Sequence, residues 1–95
     1  MDTQKAIETE CKGLQELLQQ KNKMYGNSFF KTLDEYGKVL ICVRLEDKLN
    51  RLKQIIFNGE KNKTDESLID TLRDLAGYAI LSEIYFKEER EYGIP

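Results

Sequence analysis

Histidine is absent from this chain. That excludes imidazole zinc sites, imidazole general bases, and the Ser–His and Cys–His pairs of nucleophilic catalysis. Proline occurs once, at the last position, and glycine only six times, so few breakers interrupt helices. The two cysteines, Cys11 and Cys42, are far apart and show no CxxC spacing. Both sit in apolar periodic segments and are expected to be buried thiols in a reducing compartment. No apolar run approaches the roughly 18 residues that a membrane span needs. Met1-Asp2-Thr3-Gln4-Lys5 lacks the pattern of a secretory signal. The expected location is the cytoplasm.

What is present fits one small domain over 1–95. Charged residues make up 34 % and hydrophobic ones 40 %, a soluble folded mixture rather than a disordered one. The net charge of −2 argues against a protein that coats nucleic acid, which needs a net basic face to displace counterions. A local basic pocket for one phosphate-bearing ligand remains open. A chain this short buries only about 60–65 % of its unfolded surface, so homo-oligomerisation is expected to complete the core.

The apolar spacing predicts three long helices in an antiparallel all-α bundle. The first starts near Thr3 as its cap and carries Ile7, Cys11, Leu14 and Leu18 on one face, with Leu17 widening the stripe. Gly26 ends it. The second runs from about Lys38 to Phe57, with Ile41, Leu45, Leu49, Leu52 and Ile56 as its stripe, and Asn58-Gly59 stops it. Its start, Val39-Leu40-Ile41-Cys42-Val43, is apolar on every side, as in a segment covered from several directions. The third begins at Thr64 as N-cap. It has two adjacent stripes, Leu68-Leu72-Leu75-Ala79 and Ile69-Ala76-Ile80-Ile84, which implies more than one neighbour. Ala76, Gly77 and Ala79 would admit another backbone. Between the first two helices, Thr32 and Glu35 have capping-box spacing, while Gly37 could instead separate a turn from the helix proper. Phe29, Phe30, Leu33 and Tyr36 read as an aromatic plug over one end of the bundle, with stacking on a cofactor as the second reading.

The polar residues form a second pattern. Arg44, Asp47, Lys48 and Arg51 share one face of the second helix. Glu66, Asp70 and Asp74 recur every four residues on the third, and Tyr78 extends that row. A short connection makes the two helices antiparallel, so the rows can meet. One reading is a salt-bridge ladder in which each exposed bridge contributes ~0–1 kcal/mol. The other is a polar pocket. There Arg44, Lys48 and Arg51 hold a phosphate, Asp70 and Asp74 take a divalent ion or orient the basic groups, and Tyr78 or Tyr25 stacks on a base.

The order Lys21-Asn22-Lys23-Met24-Tyr25-Gly26-Asn27-Ser28-Phe29, then Asp47-Lys48 and Arg51-Leu52, then Asp65-Glu66-Ser67 and Asp74-Leu75-Ala76-Gly77-Tyr78-Ala79-Ile80-Leu81 resembles a phage-associated family, nucleotide modification associated domain 1. That family joins a Lys-rich helix end leading into Asp-Tyr-Gly, a Lys…Arg helix and a closing Asp-Leu-x-x-Tyr-Ala helix. The closing helix is also similar, more distantly, to the last helix of MazG-type all-α nucleoside triphosphate pyrophosphohydrolases. Met24 stands where the family has an acid before Tyr-Gly. MazG-type enzymes hold magnesium with a Glu-x-x-Glu helix and a Glu-x-x-Asp helix. Here Glu88 and Glu91, in the tail, carry the first spacing, and Asp70 and Asp74 are four apart rather than three.

The resemblance implies a phage or prophage protein, in the cytoplasm of a bacterial host, that binds a phosphate-containing nucleotide-like ligand without transforming it. Lys21, Tyr25, Arg44, Asp47, Lys48, Arg51, Asp70, Asp74 and Tyr78 would line an interhelical or intersubunit pocket. Sequestering a nucleotide immune signal, an anti-defence role, suits the same surroundings. This reading expects no cofactor, no membrane and no nucleic-acid coat. The alternative is a MazG-like Mg²⁺-dependent pyrophosphohydrolase in which Glu66, Asp70 and Asp74, with Asp47, hold the ion. A third reading is an interaction module whose polar row is only a ladder.

Overall fold

Scarce breakers and three apolar periodicities build an all-α chain. A computed structural model describes residues 1–58 and 65–91, with the backbone alone at 65, 66 and 89–91. Over these it forms α1 (Thr3–Tyr25), α2 (Ser28–Tyr36), α3 (Val39–Phe57) and α4 (Asp65–Glu91). Three are long, as the spacing predicts, and the aromatic segment adds a short fourth. No helix among the described residues is long and apolar enough to cross a membrane.

Each boundary has a local cause. Asp2, rather than Thr3, caps α1: its carboxylate accepts the Lys5 N–H at 3.2 Å, and Thr3 is already helical. Gly26 closes α1 at φ +59°, its N–H donating to the Asn22 carbonyl at 2.9 Å. Asn27 follows in the same left-handed region, at φ +61°, where Asn is among the few tolerated side-chain-bearing residues. Two consecutive left-handed residues interrupt the helical path, so α2 begins at Ser28 and not at Thr32. Thr32 instead donates back to the Ser28 carbonyl at 2.7 Å. Gly37, at φ +88°, separates α2 from α3. Asn58 ends α3, its amide donating to Gln54 Oε1 at 2.8 Å. The expected Thr64 cap and Gly59 stop lie outside the described residues.

The buried core is Leu33, Leu40 and Ile41, with Phe29, Leu45 and Tyr85 packed against it. α3 and α4 run antiparallel: Arg51 meets Thr71, and Lys48, a turn earlier, meets Asp74, a turn later. α1 lies against α4 near Gly77, where the absent side chain admits Leu18. A methyl group there would sit 2.9 Å from Leu18 Cδ2. A side chain, and not a backbone, uses the space that the small residues of α4 provide. Gly77→Val is therefore expected to push α1 away and lower stability by about 1–3 kcal/mol by overpacking. Gly77→Ala stays near neutral, because a helix-propensity gain of about 1 kcal/mol offsets the shift of Leu18. Thermal melts of the two variants check this.

The arrangement is open. Its radius of gyration of 15.3 Å exceeds the about 12–13 Å of a compact chain of this length. Two expectations fail for that reason. Cys11 and Cys42 are exposed free thiols rather than buried ones. In the apolar run 39–43 only Leu40 and Ile41 are buried, while Val39 and Val43 remain 65 % and 43 % exposed. On α3, Leu49 and Ile56 of the expected stripe are also exposed. The periodicities locate apolar faces correctly, but one chain supplies too few neighbours to cover them.

Candidate functional site

Asp74 is where three helices meet through charge. Lys48 Nζ of α3 lies 3.1 Å from Asp74 Oδ2, and Lys21 Nζ of α1 lies 3.9 Å from Oδ1. The carboxylate is only 29 % exposed, so these cations replace part of the water that it loses. One turn away, Thr71 is 1 % exposed. Its hydroxyl donates to the Ser67 carbonyl at 2.7 Å and accepts from Arg51 Nε at 3.2 Å. Thr71→Val keeps the shape but leaves the Arg51 donor without its acceptor. The expected cost is about 1–2 kcal/mol, read from urea unfolding.

Beside Asp74, α1 and α4 enclose a cleft of about 270 Å³, to which α2 contributes Ser28 and Phe29. Leu17, Leu18, Gly77 and Leu81 form apolar parts of its wall. Tyr25, Phe29 and Tyr78 supply aromatic surface, with the Phe29 and Tyr78 rings 5.6 Å apart and tilted by 34°. Lys21 and Arg73 are its cations, Asp74 its carboxylate, and Asn22 its amide. Arg73 is steadied by Glu10 of α1, 3.2 Å from Nη2.

Of the residues singled out in the sequence, Lys21, Tyr25, Asp74 and Tyr78 line this cleft, and Lys48 reaches it through Asp74. Those of the others whose side chains are described do not line it. Arg44 pairs along its own helix with Asp47 at 3.9 Å, Arg51 turns to Thr71, and Asp70 is exposed. Among the described residues the two polar rows meet through the ion pair Lys48–Asp74. The side chain of Glu66 lies outside the described residues. Among the described residues no group of three or more carboxylates or thiols is placed to hold a metal ion. Asp74, the member of the expected magnesium set that lines the cleft, already has two ammonium neighbours.

Arg73, Asn22 and Phe29 are cleft residues that the sequence reading did not assign to a site. A signal for two of them was available. Arg73 stands one helical turn before Gly77, and Asn22 one turn after Leu18, so each flanks the point where α1 and α4 touch. Phe29 packs against the core cluster and also lines the cleft.

A family model described as Nucleotide modification associated domain 1 matches residues 21–86. That span includes α2, α3, all but the last turn of α4 and the end of α1 that carries Lys21, Asn22 and Tyr25. Neither curated proteins nor solved structures give a match.

Proposed function

Because the chain belongs to the nucleotide modification associated domain 1 family, we propose that the α1–α4 cleft holds a phosphate-bearing, nucleotide-like ligand. The observation that carries this reading is the placing of two cations, Lys21 and Arg73, beside three aromatic rings in one cleft. Arg73 would take a phosphate through paired N–H donors, and Lys21 would add a point charge. The rings of Tyr25 and Tyr78 would flank a base, a contact that every base can make. Asn22 offers both donor and acceptor to the base edge. A cleft of about 270 Å³ sits at the small end of ligand sites. It suits one base and sugar, with the phosphates at the cationic rim.

Holding rather than hydrolysing is the favoured activity. Asp74 is engaged by Lys48 and Lys21, and those same ammonium groups would repel a magnesium ion. The phage-like order of motifs supports a setting in a phage-infected or lysogenic bacterium. There the proposed use is to keep a nucleotide immune signal from its receptor.

Isothermal titration of the full chain against nucleoside mono-, di- and triphosphates, cyclic dinucleotides and ADP-ribose derivatives tests the reading. Saturable binding at micromolar ligand is expected for at least one of them, and heat at dilution level for the whole panel would sink it. Incubation of dNTPs with Mg²⁺ tests the holding-only part: pyrophosphate release that Asp74→Asn abolishes would make the chain a hydrolase.

A further inference from the structure

On the other side of the α1–α4 contact, α1, α2 and α4 leave open a second, larger groove of about 610 Å³. Its apolar surface comes from Leu18, Phe30, Ile80, Leu81 and Ile84, and Cys11 lies on its α1 wall. Lys23 is its one charged lining residue. Fully buried interface centres are likewise depleted of charge.

Both helical stripes that feed this groove lack cover in a single chain. On α1, Ile7 is 53 % exposed and Cys11, one turn on, is exposed as well. On α4, Ile80 and Ile84 are 39 % and 42 % exposed. The chain as a whole presents 7500 Å² to solvent, against about 5,700 Å² for a compact monomer of its mass. Two chains that each hid about 1,000 Å² of this surface would reach the about 2,000 Å² at which obligate homodimer interfaces begin. α3 also exposes Val39 and Val43, but the charged Lys38, Glu46 and Asp47 are exposed along the same stretch.

From the uncovered stripes and the excess area, we infer that a second copy of this chain docks into the α1–α2–α4 groove. Apolar stripes of α1 and α4 from both copies then form one shared interior, which gives the second stripe of α4 the extra neighbour its sequence calls for. Leu18, Asn22 and Leu81 line this groove and the ligand cleft alike. The partner therefore backs the wall against which the ligand would rest. That last consequence rests on the ligand reading above, while the pairing does not.

Sedimentation equilibrium of the ligand-free full chain at micromolar concentration tests the pairing. A mass twice the 11.1 kDa chain is expected. The double variant Ile80→Glu, Ile84→Glu should sediment as one chain while keeping its far-ultraviolet helix signal. Thiol alkylation gives a readout that does not depend on the variant. In the wild type, Cys11 should react about tenfold more slowly than Cys42, since covering the groove limits access to its thiol. A single-chain mass for the wild type would overturn the proposal. So would a double variant that keeps the paired mass, or equal alkylation of the two thiols in the wild type. Because no nucleotide is present, these outcomes leave the ligand reading to its own titration.

Discussion

Removing Lys21 and Arg73 together, as Lys21→Ala, Arg73→Ala, is expected to weaken nucleotide binding by about a hundredfold. Each charge-assisted bond to a phosphate contributes about 1.5–3 kcal/mol. Both groups stand at a partly open rim, Lys21 51 % and Arg73 39 % exposed, so the lower end applies to each, and about 3 kcal/mol corresponds to that factor. The loss should shrink in high salt, because ions screen charges that solvent reaches. Arg44→Ala is the discriminating control. The charged row on α3 invites a phosphate grip at Arg44, but Arg73 lines the cleft and Arg44 does not. Unchanged affinity in Arg44→Ala, with strong loss in the cleft variant, is the expected pattern in titration calorimetry. Equal losses in both would move the phosphate to α3 and disprove the assignment of the cleft.

Leu33→Ala is expected to be the most damaging single change to stability, at about 2–5 kcal/mol. Leu33 is 1 % exposed, and the described core holds only two other buried apolar side chains, Leu40 and Ile41. Truncation removes the piece that α2 presents to α3 and leaves a cavity at the centre of the cluster. For a domain of this size each kcal/mol moves the melting temperature by roughly 4–8 °C. A fall of more than ten degrees should follow, measured by circular dichroism. Phe29, half-buried on the same helix, also loses its footing, so ligand affinity should drop with the fold. A melting temperature unchanged by Leu33→Ala would mean that α2 does not anchor the core.

The helical segments were readable because their causes are local. Scarce proline and glycine, the Gly26 and Asn58 stops, and apolar spacings of three and four set the long helices without reference to anything distant. Lys21, Tyr25, Asp74 and Tyr78 could also be picked out, since their order along the chain resembles that of the family. The short helix over Ser28–Tyr36 was harder to place. Two left-handed residues, Gly26 and Asn27, restart the chain at Ser28, and the competing cap spacing at Thr32 goes unused.

Sequence by itself determined the all-α class, the apolar stripes and the family of this chain, all of which depend on residues near one another or on their order. The tertiary structure alone decided which charges share a space. Periodicity places Arg44, Lys48 and Arg51 on one face of α3 but says nothing of what α4 offers opposite each. Across the two helices, Thr71 takes Arg51 and Asp74 takes Lys48. It also decided that Cys11, Ile80 and Ile84 stay in solvent within one chain, because burial depends on how many neighbours arrive. Gly77 sets the approach of α1 to α4 through the space it yields to Leu18. That single contact divides the surface between these helices into a cationic, aromatic cleft on one side and an apolar groove on the other.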